Sequence, residues 1–225
     1  MGRSCLTLLI GITILMSCGP CWASPSSQLS QRLEEWPEWR KPAQLPRPNN
    51  NDDLVYPTWF EGLWHIDNQD LDDIDAEQIQ HQARFQPDGQ GRIVGDRAFN
   101  ALSIGKALLG EQLLRVEDDP HSANDQMAQL KGGLRLETRV ISRDQSTPDN
   151  NTFLSDEIVL QILHRPGPPR LSRIETLSRY QLSSNQNING EQWQAIYPPP
   201  GQSTSENPIK LHHFKLIMQR KGSEN

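Results

Sequence analysis

Few residues of this chain have both the type and the spacing to do chemistry. Of its six histidines, His81, His164 and His212 each share the apolar parity of an alternating segment. Three inward imidazoles would make a metal site only if the registers of three strands aligned. His212 and His213 are adjacent, and neighbouring strand residues point to opposite faces, so they cannot share an interior ion. The acidic run from Asp67 to Glu77 lacks the glycine at position six of a calcium loop. Asp96-Arg97-Ala98-Phe99-Asn100 offers a different chemistry. At the start of a helix, Arg97 and Asn100 can face a ligand carboxylate or phosphate. The plainer alternative is a capped helix with a solvated ion pair and Phe99 as a packing anchor. There is no G-x-S-x-G, no H-E-x-x-H and no phosphate loop; "PDGQGR" has too few glycines and no following helix. The expectation is a non-catalytic protein with no metal and no cofactor.

Charge narrows the partners. The chain of 225 residues carries 22 Lys and Arg against 28 Asp and Glu, a formal net charge of −6. Counterion release on nucleic acid needs clustered cations, so nucleic acid is excluded as a partner. A polybasic membrane-surface protein is equally disfavoured. Only 35% of residues are hydrophobic and 17 are proline, which fits one domain plus tails.

The elements that must position any site alternate with period two. In "QIQHQARFQ", Ile79, His81, Ala83 and Phe85 alternate with Gln and Arg, and the Pro87-Asp88-Gly89 turn closes the strand. "LRLETRV", "DEIVLQILH", "LSRIETLSRYQL", "EQWQAIY" and "KLHHFKLIMQR" repeat the pattern. With Gly62 to Asn68, Arg92 to Val94 and Leu113 to Val116 they give eight or nine short strands. Many alternating strands predict an all-β fold, an antiparallel up-and-down barrel of about eight strands. The expected inward residues are Phe85, Leu136, Leu160, Ile162, Tyr180, Trp193, Phe214 and Met218. "DRAFNALSIGKALLG" alone reads as helix, capped by Asp96 and ended by Gly110. Glu117–Gln129, Ser142–Asn151 and Pro198–Pro208 read as loops.

The N-terminus reads as an export signal over residues 1–23. Arg3 precedes the apolar Leu6–Met16 run, and Cys21-Trp22-Ala23 offers a cleavage site. A second reading takes Leu15-Met16-Ser17-Cys18-Gly19 as a lipobox, with Cys18 lipidated. Cleavage after Ala23 leaves a mature chain without cysteine and without a transmembrane segment. Residues 24–53 read as a Pro/Asn-rich tether, in which Trp36 and Trp39 either anchor onto the domain or sit in a disordered spacer. The barrel domain is expected over 54–221, with a tail at 222–225.

Phe60-Glu61-Gly62-Leu63-Trp64 resembles the F-x-G-x-W entrance of the lipocalins and their calycin relatives. The resemblance implies structural roles: Gly62 for a tight approach, Trp64 to close the barrel base, and Arg220 to stack on Trp64 from the last strand. The lipocalin T-D-Y turn and C-terminal helix are absent, so the likeness is to the barrel rather than to the whole family. "DLVYPTWFEGLW" followed by "RIVGDRAFN" also resembles a family of cyanobacterial proteins with plant chloroplast counterparts. That likeness implies the thylakoid lumen or the periplasm, and no activity.

The expected function is binding of a small apolar or amphipathic ligand, with Arg97, Asn100, Phe85, Tyr180, Trp193 and Phe214 as the ligand-binding residues. The alternative is a structural or assembly factor of the photosynthetic membrane, acting through protein partners. An empty interior of a few hundred cubic ångströms would favour the first, and a filled one the second.

Overall fold

A computed structural model describes residues 25–73, 75–201 and 206–221. The leader over 1–23, Cys18 and the tail at 222–225 lie outside the described residues. Eleven strands form one antiparallel sheet: β1 (Val55–Tyr56), β2 (Gly62–Asp70), β3 (Ile79–Pro87), β4 (Ile93–Gly95), β5 (Leu113–Asp119), β6 (Ser122–Leu130), β7 (Arg135–Asp149), β8 (Thr152–His164), β9 (Arg170–Leu182), β10 (Ile188–Tyr197) and β11 (Lys210–Arg220). Among the described residues two α-helices accompany it, α1 (Pro25–Glu34) and α2 (Arg97–Leu109).

The order in space is β1-β4-β3-β2-β11-β10-β9-β8-β7-β6-β5. From β5 to β11 the chain meanders up and down. β11 then returns to pair with β2, placing Arg220 opposite Trp64. The sheet curls into a half-barrel, and backbone pairing does not close it: β1 and β5 are its edges. Eleven strands replace the expected eight or nine, because Val55–Tyr56 pairs as a short strand and Ser122–Leu130 forms a strand where a loop was expected; β7 also runs on to Asp149. An extra residue at Ile141 shifts the β7–β8 register between Val140 and Ser142. Such a bulge reverses which residues face inward, so the alternation breaks mid-strand.

α2 bridges the exposed part of β3 and the edge strand β5. β4 covers only Phe85–Pro87 of β3, which leaves the rest of that strand edge without a strand partner. Asn100 on α2 covers it like a missing strand: its Oδ1 accepts from Arg84 N at 2.7 Å and its Nδ2 donates to Arg84 O at 3.0 Å. Ser103 Oγ accepts from Gln82 N at 2.8 Å. On its far side α2 meets β5, where a Cβ on Gly105 would lie 2.5 Å from Leu113 Cδ2. α2 is therefore a stave of the wall. A second closure joins β1 to β7: Val55 N donates to Gln145 Oε1 and Gln145 Nε2 donates to Val55 O, both at 3.0 Å.

Two apolar cores result. The inner one joins Phe60, Trp64, Phe85, Phe153, Ile188 and Met218 with their neighbours in the hollow. The outer one lies on the convex face of β8, β9 and β10, where Leu154, Leu177, Trp193, Ala195 and Tyr197 pack against Leu29 and Trp39. The segment expected as a tether over 24–53 thus contributes to a core: Leu29 and Trp39 are buried, and Leu33, Trp36 and Leu45 pack beside them. Trp36 packs edge-on against Trp39, with ring centroids 4.9 Å apart. Burial of these large side chains holds the segment down.

Candidate functional site

The hollow of the half-barrel contains a cavity of about 520 Å³. Strands from both ends of the sheet wall it, and α2 supplies Ala101 and Ile104. Its base is aromatic. Tyr56, Phe60, Phe85, Phe153 and Tyr180 touch one another with ring centroids 4.7 to 6.4 Å apart. Burial pushes the hydroxyls of Tyr56 and Tyr180 above the usual phenol range, so both stay neutral.

Below this floor sits Trp64, fully buried. Its Nε1 donates to Phe60 O at 2.6 Å, which satisfies its only polar atom. The Arg220 guanidinium lies 4.6 Å above the indole. It also donates to the carbonyls of Glu61 and Trp59, the latter at 3.1 Å. Gly62 makes this approach possible: its φ is +123°, and a Cβ there would lie 2.7 Å from Arg220 Nη1.

Above the floor the lining mixes apolar side chains such as Val140, Val159 and Ile174 with polar groups that are mostly uncharged. Asn68, His81, Gln161, Thr176, Gln192 and Gln194 form a band around it. Gln192 Nε2 donates to Tyr180 OH at 3.1 Å, and Gln194 Nε2 reaches Thr176 Oγ1 at 3.3 Å. Burial, with a smaller contribution from His65, pushes the His81 imidazole down to about 4. Asn68 Oδ1, His81 Nδ1 and Asn124 Oδ1 are buried without a hydrogen-bond partner on the protein, and all three residues line the cavity. Each such atom costs roughly 1–3 kcal/mol until a partner reaches it.

The charged lining residues are matched in pairs. Arg143 Nε lies 2.6 Å from Glu157 Oε1, and Arg97 Nε lies 3.5 Å from Asp53 Oδ2. Arg97 also donates to the carbonyl of Ala123.

The sequence-derived candidates divide accordingly. Phe85 and Tyr180 lie in the aromatic floor. Arg97 and Asn100 line the cavity, but their polar atoms are engaged by Asp53 and Ala123 and by the Arg84 backbone. Phe214 packs at the edge of the inner core and stacks on His212 at 5.4 Å. Trp193 must be corrected. It lies on the convex face in the outer core, stacked on His213 at 5.0 Å, while its neighbours Gln192 and Gln194 line the hollow. Leu160 and Ile162 share the parity of Asp156 and Ile158, opposite to the lining residues Glu157, Val159 and Gln161. Leu136 shares the parity of the lining residues Thr138 and Val140 but does not itself reach the cavity, while Met218 lines it.

His81, His164 and His212 do not converge: His164 bonds Glu137 and His212 bonds Asp70, each at 3.1 Å. Among the described residues no group of His, Cys, Asp or Glu is arranged to hold a metal. No helix among them is long and apolar enough to cross a membrane.

Sequence reasoning missed the polar band. The signal was present in "EQWQAIY", where the glutamines alternate with an apolar set that has its own partner surface.

A family model described as a domain of unknown function (DUF6816) matches residues 67–221. The chain belongs to this family. The DUF6816 match runs from the middle of β2 to the end of β11, so it takes in α2 and the polar band. Gly62, Trp64 and α1 precede it. No curated protein and no solved structure matches the chain.

Proposed function

We propose that the protein is an exported, lipocalin-like container that holds one small amphipathic ligand in its hollow and performs no catalysis. The observation that carries this reading is the cavity of about 520 Å³, which falls within the range of sites for small molecules. An aromatic base and a polar upper band suit a molecule with one apolar and one polar end. A structural factor acting only through protein partners would gain nothing from an interior left hollow. Its obvious docking aromatics, Trp36 and Trp39, are engaged on this chain's own convex face. The signal-like N-terminus and the resemblance to cyanobacterial and chloroplast proteins support a thylakoid-lumen or periplasmic location for this container.

The test is titration with N-phenyl-1-naphthylamine, whose fluorescence rises in apolar sites. The reading expects saturation at one probe per chain. It also expects loss of that signal in Val159→Trp, which fills the cavity, with circular dichroism unchanged. Equal enhancement in the filled variant would place the probe elsewhere and contradict the reading.

A further inference from the structure

The proposed ligand site carries a chemical preference that its charged residues alone would not suggest. Two arginines line the hollow, and a first expectation is an anionic ligand. The geometry opposes it. Arg143 is held by Glu157 at 2.6 Å and also donates to Asp52 O at 2.8 Å. Arg97 faces Asp53 at 3.5 Å and Asp118 at 3.8 Å. A ligand carboxylate would have to displace one of these carboxylates or remain unpaired in a buried place, and an unpaired buried charge is costly. His81 does not help, because burial keeps its imidazole neutral.

What the upper wall offers instead is amide and hydroxyl. Gln161, Gln192 and Gln194 can each donate and accept, and Thr176 does the same. Two of the three unpartnered atoms in the wall are acceptors, and the third accepts or donates according to its tautomer. Asn68 Oδ1 and Asn124 Oδ1 are acceptors, and His81 Nδ1 is a ring nitrogen. Asn124 Nδ2 is already spent on Asn49 O at 2.8 Å. Acceptors without donors favour a partner that brings hydrogen, and an ionised carboxylate or phosphate brings none. The apolar end would meet the rings of Tyr56, Phe85 and Tyr180, which line the cavity.

We infer that the ligand's polar end is uncharged and carries hydroxyl groups, so that the protein selects a neutral amphipathic alcohol or polyol over a fatty acid or a phosphate ester. This rests on the container reading above, and the experiment separates the two. Three probes share one chain length: monolaurin with a diol head, methyl laurate with no donor, and laurate with a negative charge. Each is titrated into the full chain at pH 8 by displacement of N-phenyl-1-naphthylamine. Monolaurin should bind at least tenfold more tightly than laurate, with methyl laurate between them. Gln194→Arg adds a cation with no carboxylate assigned to it and should shift the preference toward laurate by tenfold or more. Asn68→Leu keeps the fold's parity and should weaken monolaurin while sparing methyl laurate. Laurate binding equal to or tighter than monolaurin in the unaltered chain would overturn the inference and leave the container intact. Failure of all three probes to bind would overturn both.

Discussion

Arg220 and Trp64 lie opposite each other across the β2–β11 pair, with the guanidinium 4.6 Å from the indole centroid. The same guanidinium ties down the carbonyls of Glu61 and Trp59. The last strand therefore locks the turn that precedes the first long one. Arg220→Met should cost about 2 kcal/mol in urea unfolding, combining the cation–π contact and hydrogen bonds from a charged donor. Arg220→Lys should recover little, since an ammonium cannot present the planar fork. Gly62→Ala should cost as much or more, because the backbone at φ +123° and the 2.7 Å approach both exclude a Cβ. A loss under 0.5 kcal/mol in both positions would show the contact to be incidental.

Arg32 does the same work for the N-terminal segment. Its Nε and Nη2 reach the two oxygens of Glu175 at 2.8 and 3.0 Å, and Nη2 also donates to Lys41 O at 2.9 Å. Glu175 is fully buried. Arg32→Met strands that carboxylate and should weaken docking of residues 28–45 by roughly 3 kcal/mol. Hydrogen exchange should rise over 28–45 while β3 keeps its protection. Adding Glu175→Gln should restore most of the loss, because the pair is then removed together.

Asp156 gives the convex face a pH dependence. It is fully buried, neither carboxylate oxygen has a partner, and burial together with the Glu175 charge pushes it well above the usual carboxylate range. The groups facing it are Glu175 and Arg32, with Glu157 and Asp144 further contributing. A raised folded value means that the folded state holds a proton the unfolded chain has released. This group's contribution therefore turns against folding as pH rises above its ordinary value of 3.8. Asp156→Asn mimics the protonated form. It should be more stable than the parent at pH 7, and the difference should shrink to nothing near pH 4. An Asn variant less stable at pH 7 would contradict this.

His81 has the opposite sign. Its imidazole is lowered from an ordinary 6.5 to about 4, so the stability gained by keeping it neutral is present above pH 6.5 and lost as pH falls through 4. In NMR titration its ring should stay neutral from pH 8 to 5. A midpoint near 6.5 would mean that the ring reaches water.

The alternation of β3 and β11 is legible because each turns an apolar face to the hollow; β9 does so too, although Leu177 on its other face joins the outer core. β8 and β10 misled for a physical reason. Their apolar faces bind Leu29 and Trp39 outside, so the rule that apolar means inward inverts, and Gln192 and Gln194 pass for solvent residues. "LEEWPEWRKP" held the clue, since two tryptophans in a segment with no core of its own require a surface elsewhere. The second half of β7 was hidden by the bulge at Ile141. The pairing of Arg97 with Asp53 joins residues 44 apart in sequence, and only the fold brings them together.

The central claim is that the hollow holds one small molecule. Native mass spectrometry of the full chain purified from its own host tests it most directly. The account predicts a single adduct of a few hundred daltons, bound one to one and absent from Val159→Trp purified in parallel. A bare mass for the unaltered chain, or the same adduct on the filled variant, would contradict it.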